Sequence, residues 1–446
     1  MRALPLAIIV LRALLGQDTR DVREPVIPPS CATLTASLTA SASGLAEADE
    51  GKLDTARIQR ALDECAPGHA VVLTSDGAPN AFLSGPLELR RGVTLVVRAG
   101  TILFASRDPR VYDRVPGICG TIAQTGNGCR PLINGDGVAD AGVMGDGAID
   151  GRGGAKLLGQ KISWWDLAAE ARYGGSQNNP RILSLNRCDN FTLYRITLRN
   201  SPMFHVGYRL GNGFTVWGVK IYAPADARNT DGIDPGNSSN ITIAHSFFHT
   251  GDNSIAIKAG SGPPTTHITI AHNHFYAGSG VAIGSETNGG ASDVLVTDAT
   301  FDGSEMAIRL KSNETRGGVV RAVTYENICI RDTSNPIDLD SHYQSPGARH
   351  DLLPTFAGVL IRDVRISGGG KITLVGYDVD HRLAIQLDGV MVDDPSRITV
   401  LAAHAEIALG PGPVNFRTAG PDVTVGGVPG TRTVRSCNGQ FVQFPK

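Results

Sequence analysis

Ile241-Thr242-Ile243 and Ile268-Thr269-Ile270 are copies of one short apolar motif set 27 residues apart. The series also holds Phe191-Thr192-Leu193, Phe214-Thr215-Val216 and Val294-Leu295-Val296, so five copies follow one another at intervals of 23, 27, 27 and 26 residues. Each is followed after a few residues by a second apolar stretch. From the third copy on, a further stretch joins them: Ser254-Ile255-Ala256-Ile257, Gly280-Val281-Ala282-Ile283 and Met306-Ala307-Ile308. A period in the twenties with about three short strands per turn predicts an all-β fold, a single chain wound as a parallel β-helix. One coil cannot bury its own inward side chains, whereas stacked coils share them in a continuous core. A leucine-rich repeat would need regularly spaced Leu and Asn, and a β-propeller longer, Trp-marked blades.

Outward from the repeats, the composition agrees. The 446 residues include 54 Gly and 25 Pro, with 6% aromatic and 19% charged residues, which suits short strands between tight turns. Asp54 to Cys65 is the best helix candidate, with Asp54 as N-cap and Ile58, Leu62 and Cys65 at helical spacing. Such a helix would cover the open N-terminal end of the solenoid. The stretches 103–187 and 341–357 read as insertions walling one face, the first carrying Trp164-Trp165-Asp166 on a short helix. These tryptophans either line a sugar site or pack the insertion. Met1-Arg2 and the apolar run Ala3 to Leu15 resemble a secretory leader, residues 1–17, although Arg12 interrupts it. An extended segment follows at 18–50, and 51–446 form the β-helix domain. No later run reaches the roughly 18 apolar residues of a membrane span, so a soluble protein is expected.

The net charge of -2 and pI near 6.6 leave no basic field for nucleic acid or an anionic membrane. Affinity for an acidic ligand must come from a few local cations. Among seven cysteines, Cys31 with Cys65 and Cys119 with Cys129 are candidate disulfides, although all seven could be reduced. Cys188 and Cys329 read as buried thiols in apolar strands, and Cys437 has no evident partner. No spacing resembles a zinc site. His205, His245, His249, His272 and His274 read as turn or stacking residues, with His205 able to approach a cleft. The sequons at Asn190 and Asn240 fall on strand starts and read as structural.

In a parallel stack, residues at one phase of the repeat form a column with about 4.8 Å per step. The turn before the third strand gives Asn229-Thr230-Asp231-Gly232, then Gly251-Asp252-Asn253, then Gly278-Ser279-Gly280. Asp231 and Asp252, about one coil apart, are expected to be neighbours. Arg309 and Lys311, two apart on a strand, share a face. Singly, each Asp suits a structural turn. Together with two cations, a pair of carboxylates suits glycoside hydrolysis, one as acid and one as base, while the cations hold an acidic sugar.

The set Asn229-Thr230-Asp231-Gly232, Gly251-Asp252, Gly278–Gly280 and Arg309–Lys311 resembles the signature motifs of the polygalacturonases, glycoside hydrolase family 28. The stretches Phe191 to Asp234, Ile283 to Gly290 and Asn335 to Tyr343 also look like bacterial members, several of them exo-acting. The resemblance covers roughly residues 50–440. It implies a right-handed β-helix, no metal or other cofactor, inversion of configuration, and a pectic polysaccharide substrate for a secreted or periplasmic enzyme. Asp252 then corresponds to the general acid and Asp231 to a water-activating base. Arg309 and Lys311 correspond to the pair that binds galacturonate, and Tyr343, Asn229 and Glu286 look like further substrate contacts.

Two catalytic positions depart from that pattern. Asn253 stands where the family has a second Asp, and an amide cannot take a proton from water. Ser279 stands where it has His. Three readings follow: a hydrolase of polygalacturonate or of a related polymer such as rhamnogalacturonan; a weakened member that binds acidic glycan; or a structural β-helix or calcium-dependent lyase. A monomer is expected.

Overall fold

The computed structural model describes residues 17–344 and 352–445. The leader expected at 1–17 lies outside them except for Gln17, as does the middle of 341–357. The repeat spacing becomes register. Phe191 pairs with Phe214, Phe214 with Ile241, Ile241 with Ile268 and Ile268 with Val294, all in parallel. The column continues through Val323, Val359, Ile385 and Ile407. The fold is a right-handed parallel β-helix. Among the described residues, two such ladders merge into one 21-stranded sheet, and a third face forms an 11-stranded sheet. That third face carries the strands Leu183–Asn186, Val206–Arg209, Ile233–Gly236, Ile255–Ile257, Val281–Gly284, Met306–Lys311 and Asn335–Asp340.

Inside the coils, Phe248, Phe275 and Phe301 stack with ring centroids 5.1 and 4.6 Å apart, near the spacing of the strands that carry them. Each buried aromatic contributes roughly 1.5–3 kcal/mol, so the core gains its energy coil by coil. The bends are equally regular. Arg195, Gly218, His245, His272, Asp298, Asn327 and Asp363 occupy one corner of successive coils in the left-handed conformation, with φ of 51–65°. Asn, Asp and His tolerate that region better than most residues. This placement explains His245 and His272 as corner residues, their rings stacked at 4.9 Å. Asn190 and Asn240 of the two sequons adopt the same conformation at another corner.

The helix α1 (Thr55–Glu64) covers the N-terminal end and buries Ile58 and Leu62. Asp54 stands at its N-cap, but its side chain makes no capping bond to the helix backbone. Its carboxylate instead accepts from the Leu83 N–H at 3.2 Å and from Arg57 at 2.6 Å, fastening the cap to the first coils. Both ends of the described residues run back over the outside. Asp18 accepts from Thr242 and donates its N–H to Thr269, Arg20 reaches the Phe214 carbonyl, and Glu24 accepts from Tyr194. The tail returns past Asp363 and Asp388 through Arg432, bonds Asn327 through Arg435, and ends with Phe444 against Tyr222 and Tyr276.

Two expectations are corrected. The stretch 103–187 is not one insertion. Ile133–Asp136, Gly142–Met144 and Ala148–Asp150 form an ordinary coil, in which Val143 pairs with Leu95 and Leu193. Its Gly- and Asp-rich strands are only three or four residues long and lack the apolar runs that mark the other coils. Cys329 is not a thiol: it bridges Cys437, alongside Cys31–Cys65 and Cys119–Cys129. The returning tail brings together cysteines 108 residues apart. Cys188 is buried and free. A bridge over so long a loop restricts the unfolded chain strongly. Cys437→Ser is expected to remove about 2–4 kcal/mol of stability, read as an earlier urea transition without reductant, with the wild type under reductant moving the same way.

Candidate active site

Three successive turns bring the candidate residues together on the third face, and backbone bonds hand each to the next. The Gly232 N–H donates to the Asn253 carbonyl at 2.9 Å, and the Ser279 N–H to the Asp252 carbonyl at 3.0 Å. The Gly251 N–H donates to Thr230 Oγ1 at 3.0 Å. Two glycines let the turns approach this closely. A Cβ on Gly278 would lie 2.2 Å from the Asp252 carbonyl oxygen, and one on Gly280 2.4 Å from that of Ala307; both have positive φ.

Asn253 is the hub. Its Nδ2 donates to Asp231 Oδ2 at 2.9 Å and to Asp252 Oδ1 at 2.8 Å, while its Oδ1 accepts from Lys311 Nζ at 3.2 Å. Both amide hydrogens are therefore engaged with carboxylates. Asp231 is 2% exposed, and its Oδ1 is buried without a partner. Burial, then the neighbouring Asp234 and Asp252, push the Asp231 carboxyl well above the usual carboxylate range. Asp252 is half-buried and also accepts from Asn229 Nδ2 at 3.4 Å. Asn229 is held in turn by Gln177, at 3.0 Å, so it orients Asp252.

Lys311 and Arg309 both face the Tyr343 ring, at 5.1 and 5.7 Å from its centroid. Arg309 lies 3.3 Å from Asp338. Burial, followed by Arg309 and Lys258, pushes the Lys311 ammonium down to about 8. Ser279 is buried in the adjoining turn, its N–H bonded to the Asp252 carbonyl. Glu286 stands apart, paired with Arg316 at 2.8 Å and Lys258 at 3.8 Å. Burial works against its charge, but those two cations prevail and hold it below the usual range.

Sequence reasoning missed Lys258 and Arg181, which join Asp234 beside the candidate pair. Lys258 Nζ lies 3.7 Å from Asp234. Burial works against its charge, yet Asp234, Asp231, Glu286 and Asp252 together raise its proton affinity. Both Asp234 oxygens are buried without hydrogen-bond partners, and burial pushes this carboxyl up to about 6 despite Lys258 and Arg181. The signal was available: Ile255-Ala256-Ile257-Lys258 repeats the alternation of Ile308-Arg309-Leu310-Lys311. His205 lies beneath the site, fully buried, its Nδ1 2.9 Å from the Asp231 carbonyl oxygen. Burial pulls its pKa down to about 4, so the ring is neutral. Trp164 packs edge-on against Tyr112, and Trp165 donates to the Ser201 carbonyl; both brace the insertion.

A carboxyl whose pKa is raised by folding favours the folded state below its unfolded value and loses that contribution as pH rises through the folded value. Asp231→Asn is therefore expected to stabilise the protein at pH 7 and to bring no gain near pH 3.5, where the wild-type carboxyl is protonated in both states. Melting temperatures of both proteins across that range check the sign.

Residues 72–373 match the family model described as glycosyl hydrolases family 28. An endo-polygalacturonase of Pectobacterium carotovorum subsp. carotovorum is 38% identical over 85% of this chain and 91% of its own length. A polygalacturonase of Ralstonia solanacearum is 37% identical over 95% of this chain and 92% of its own. The solved polygalacturonase from Erwinia carotovora ssp. carotovora superposes with a TM-score of 0.81 at 37% identity, covering 88% of this chain and all of that one. The chain belongs to glycosyl hydrolases family 28 and is a glycoside hydrolase.

Proposed function

We propose that this enzyme hydrolyses the α-1,4-galacturonosidic bonds of pectic polysaccharide with inversion, with Asp252 as general acid and Asp231 as base. The observation that carries this is the Asn253 amide, which touches both carboxylates while its carbonyl holds Lys311. Asp252 is half-exposed, where a leaving oxygen can reach it. Asp231 is the deeper group, and its raised proton affinity makes it a stronger base. With both Asn253 hydrogens engaged, the attacking water has the unpartnered Asp231 Oδ1 as its acceptor. Arg309, Lys311 and Tyr343 supply a cationic, aromatic-backed seat for a uronate carboxylate. Asn229 supports the acid, and Ser279 puts a short neutral side chain in the adjoining turn. The names of the full-length relatives favour polygalacturonate over rhamnogalacturonan. Three disulfides fit an oxidising compartment, hence a secreted or periplasmic enzyme, and a monomer in size-exclusion chromatography is expected.

Asn253 and Ser279 favour a second reading, a weakened enzyme that binds acidic glycan and turns it over slowly. Product analysis on polygalacturonate and rhamnogalacturonan separates the two, and product lengths separate exo from endo action. Asp252→Asn should lower kcat on polygalacturonate about 100-fold or more. If it matches the wild type, the assignment of the acid fails. A large gain for the double variant Asn253→Asp, Ser279→His would favour the weakened enzyme.

The pH profile follows from the same groups. Asp231 must be ionised to act as base, so activity falls as pH drops through its raised pKa, above the usual carboxylate range. Lys311 must be charged to hold substrate, so KM rises as pH climbs through about 8. A bell-shaped kcat/KM profile with those two limbs is expected.

A further inference from the structure

Three short strands lead into the three turns of the site. Lys220–Tyr222 enters the turn of Asp231, Phe247–His249 that of Asp252 and Asn253, and His274–Ala277 that of Ser279. Each strand brings an aromatic ring to the outside as it ends. Tyr222 pairs with His249, and their rings lie 4.9 Å apart. His249 pairs with Ala277 and not with Tyr276, because the register slips between Phe248 and His249. Tyr276 is therefore the extra residue of a bulge, a device that re-aims a side chain.

The C-terminal tail comes to rest on these three rings. Alternate residues of one strand hold it first: Asn327 accepts from Arg435, Cys329 bridges Cys437, and the Arg331 guanidinium lies 4.2 Å over the Phe441 ring. The Tyr276 hydroxyl then donates to the Val442 carbonyl at 3.0 Å. Phe444 completes the seat, its ring 5.9 Å from Tyr222, 6.3 Å from His249 and 5.4 Å from Tyr276, edge-on to the last two. Edge-to-face contact is a favoured geometry for aromatic pairs. A single side chain thus rests on the entry to all three turns.

The turns beyond have no slack, so what the ring fixes is passed on. His249 Nδ1 donates to the Ala223 carbonyl at 2.8 Å, and the Ala223 N–H to the His249 carbonyl at 2.7 Å, which ties the first turn to the second. Thr250 Oγ1 donates to the Asp252 carbonyl at 2.8 Å. A Cβ on Gly251 would lie 2.1 Å from the Ala227 carbonyl oxygen. With Gly278 pressed equally close to Asp252, the second turn is wedged between the first and the third.

We propose that Phe444 is a positioning residue for the hydrolysis. By clamping Tyr222, His249 and Tyr276 it sets the spacing of the turns, and so holds Asp252 and Asp231 in their working arrangement. The proposal rests on the reading of those carboxylates as acid and base. Arg309, Lys311 and Tyr343 stand on later coils, outside the clamp, so the seat for the uronate does not depend on it.

The test compares Phe444→Ala, Phe444→Tyr and Phe441→Ala at a temperature where circular dichroism shows all of them folded. Phe444→Ala should lower kcat on polygalacturonate about tenfold and leave KM within about twofold, since a small misplacement of a reacting group is costly to the chemical step alone. Phe444→Tyr keeps the ring and should restore the rate. Phe441→Ala loosens the same tail without freeing any of the three rings, and should keep the wild-type kcat. If Phe444→Ala keeps the wild-type kcat, or if Phe441→Ala loses as much, the clamp is overturned. Hydrogen exchange reads the turns apart from turnover. The Gly251 and Ser279 amides, which are bonded across the turns, should exchange faster in Phe444→Ala and not in Phe441→Ala. If Asp252→Asn turns over like the wild type, the assignment of the acid is what fails. Exchange at Gly251 and Ser279 then decides the clamp alone, equal rates in wild type and Phe444→Ala overturning it.

Discussion

A strand in this molecule satisfies its backbone only by giving half of its hydrogen bonds to the coil above and half to the coil below. Register is therefore the constraint on which everything else depends. It places Phe248, Phe275 and Phe301 in one stack and repeats a left-handed residue at one corner through seven coils. It demands the glycines that let the turns at 251, 278 and 280 nest. It also gathers the chemistry. Asp231 and Asp252 meet because they precede equivalent strands of adjacent coils, and Lys311 reaches Asn253 because its strand faces the same way.

The site works against the stability of the scaffold that builds it. Three carboxylates, Asp231, Asp234 and Asp252, crowd one ledge, two of them buried, and burying charge of one sign is unfavourable. Lys258 and Lys311 oppose that crowding. Asn253 does so differently, as a neutral donor that bonds two anions without adding a third. A carboxylate at position 253 would restore a proton acceptor but would lose both of those donated hydrogen bonds. The substitution thus has a structural consequence as clear as its chemical one.

Much of this was legible in the sequence. The spacing of Phe191, Phe214, Ile241, Ile268 and Val294 translated directly into strand pairs, because in a solenoid sequence distance is spatial phase. The neighbours Asp231 and Asp252 and the shared face of Arg309 and Lys311 followed from the same rule. The coil at 133–150 escaped, since a Gly-rich strand held on both sides by neighbours needs no apolar run of its own. The bond between Cys329 and Cys437 escaped because the tail leaves the repeat and doubles back, where phase carries no information. Lys258 and Arg181 lay within reach of the column rule but outside the motifs, and only the packing around Phe204 brings them together.

The doubled-back ends alter how such an array can come apart. In a repeat protein whose coils touch only their neighbours, the terminal coils can fray while the middle stays folded. Here Asp18 is fastened beside Thr242 and Thr269, and Phe444 beside Tyr222 and Tyr276, so both ends of the described residues are moored to the coils that carry the Asp231 and Asp252 turns. An outer coil cannot peel away without first casting off one of those moorings. Loss of the ends and loss of the active site then become coupled events, and an extended array that could melt in stages is given the cooperativity of a much more compact domain.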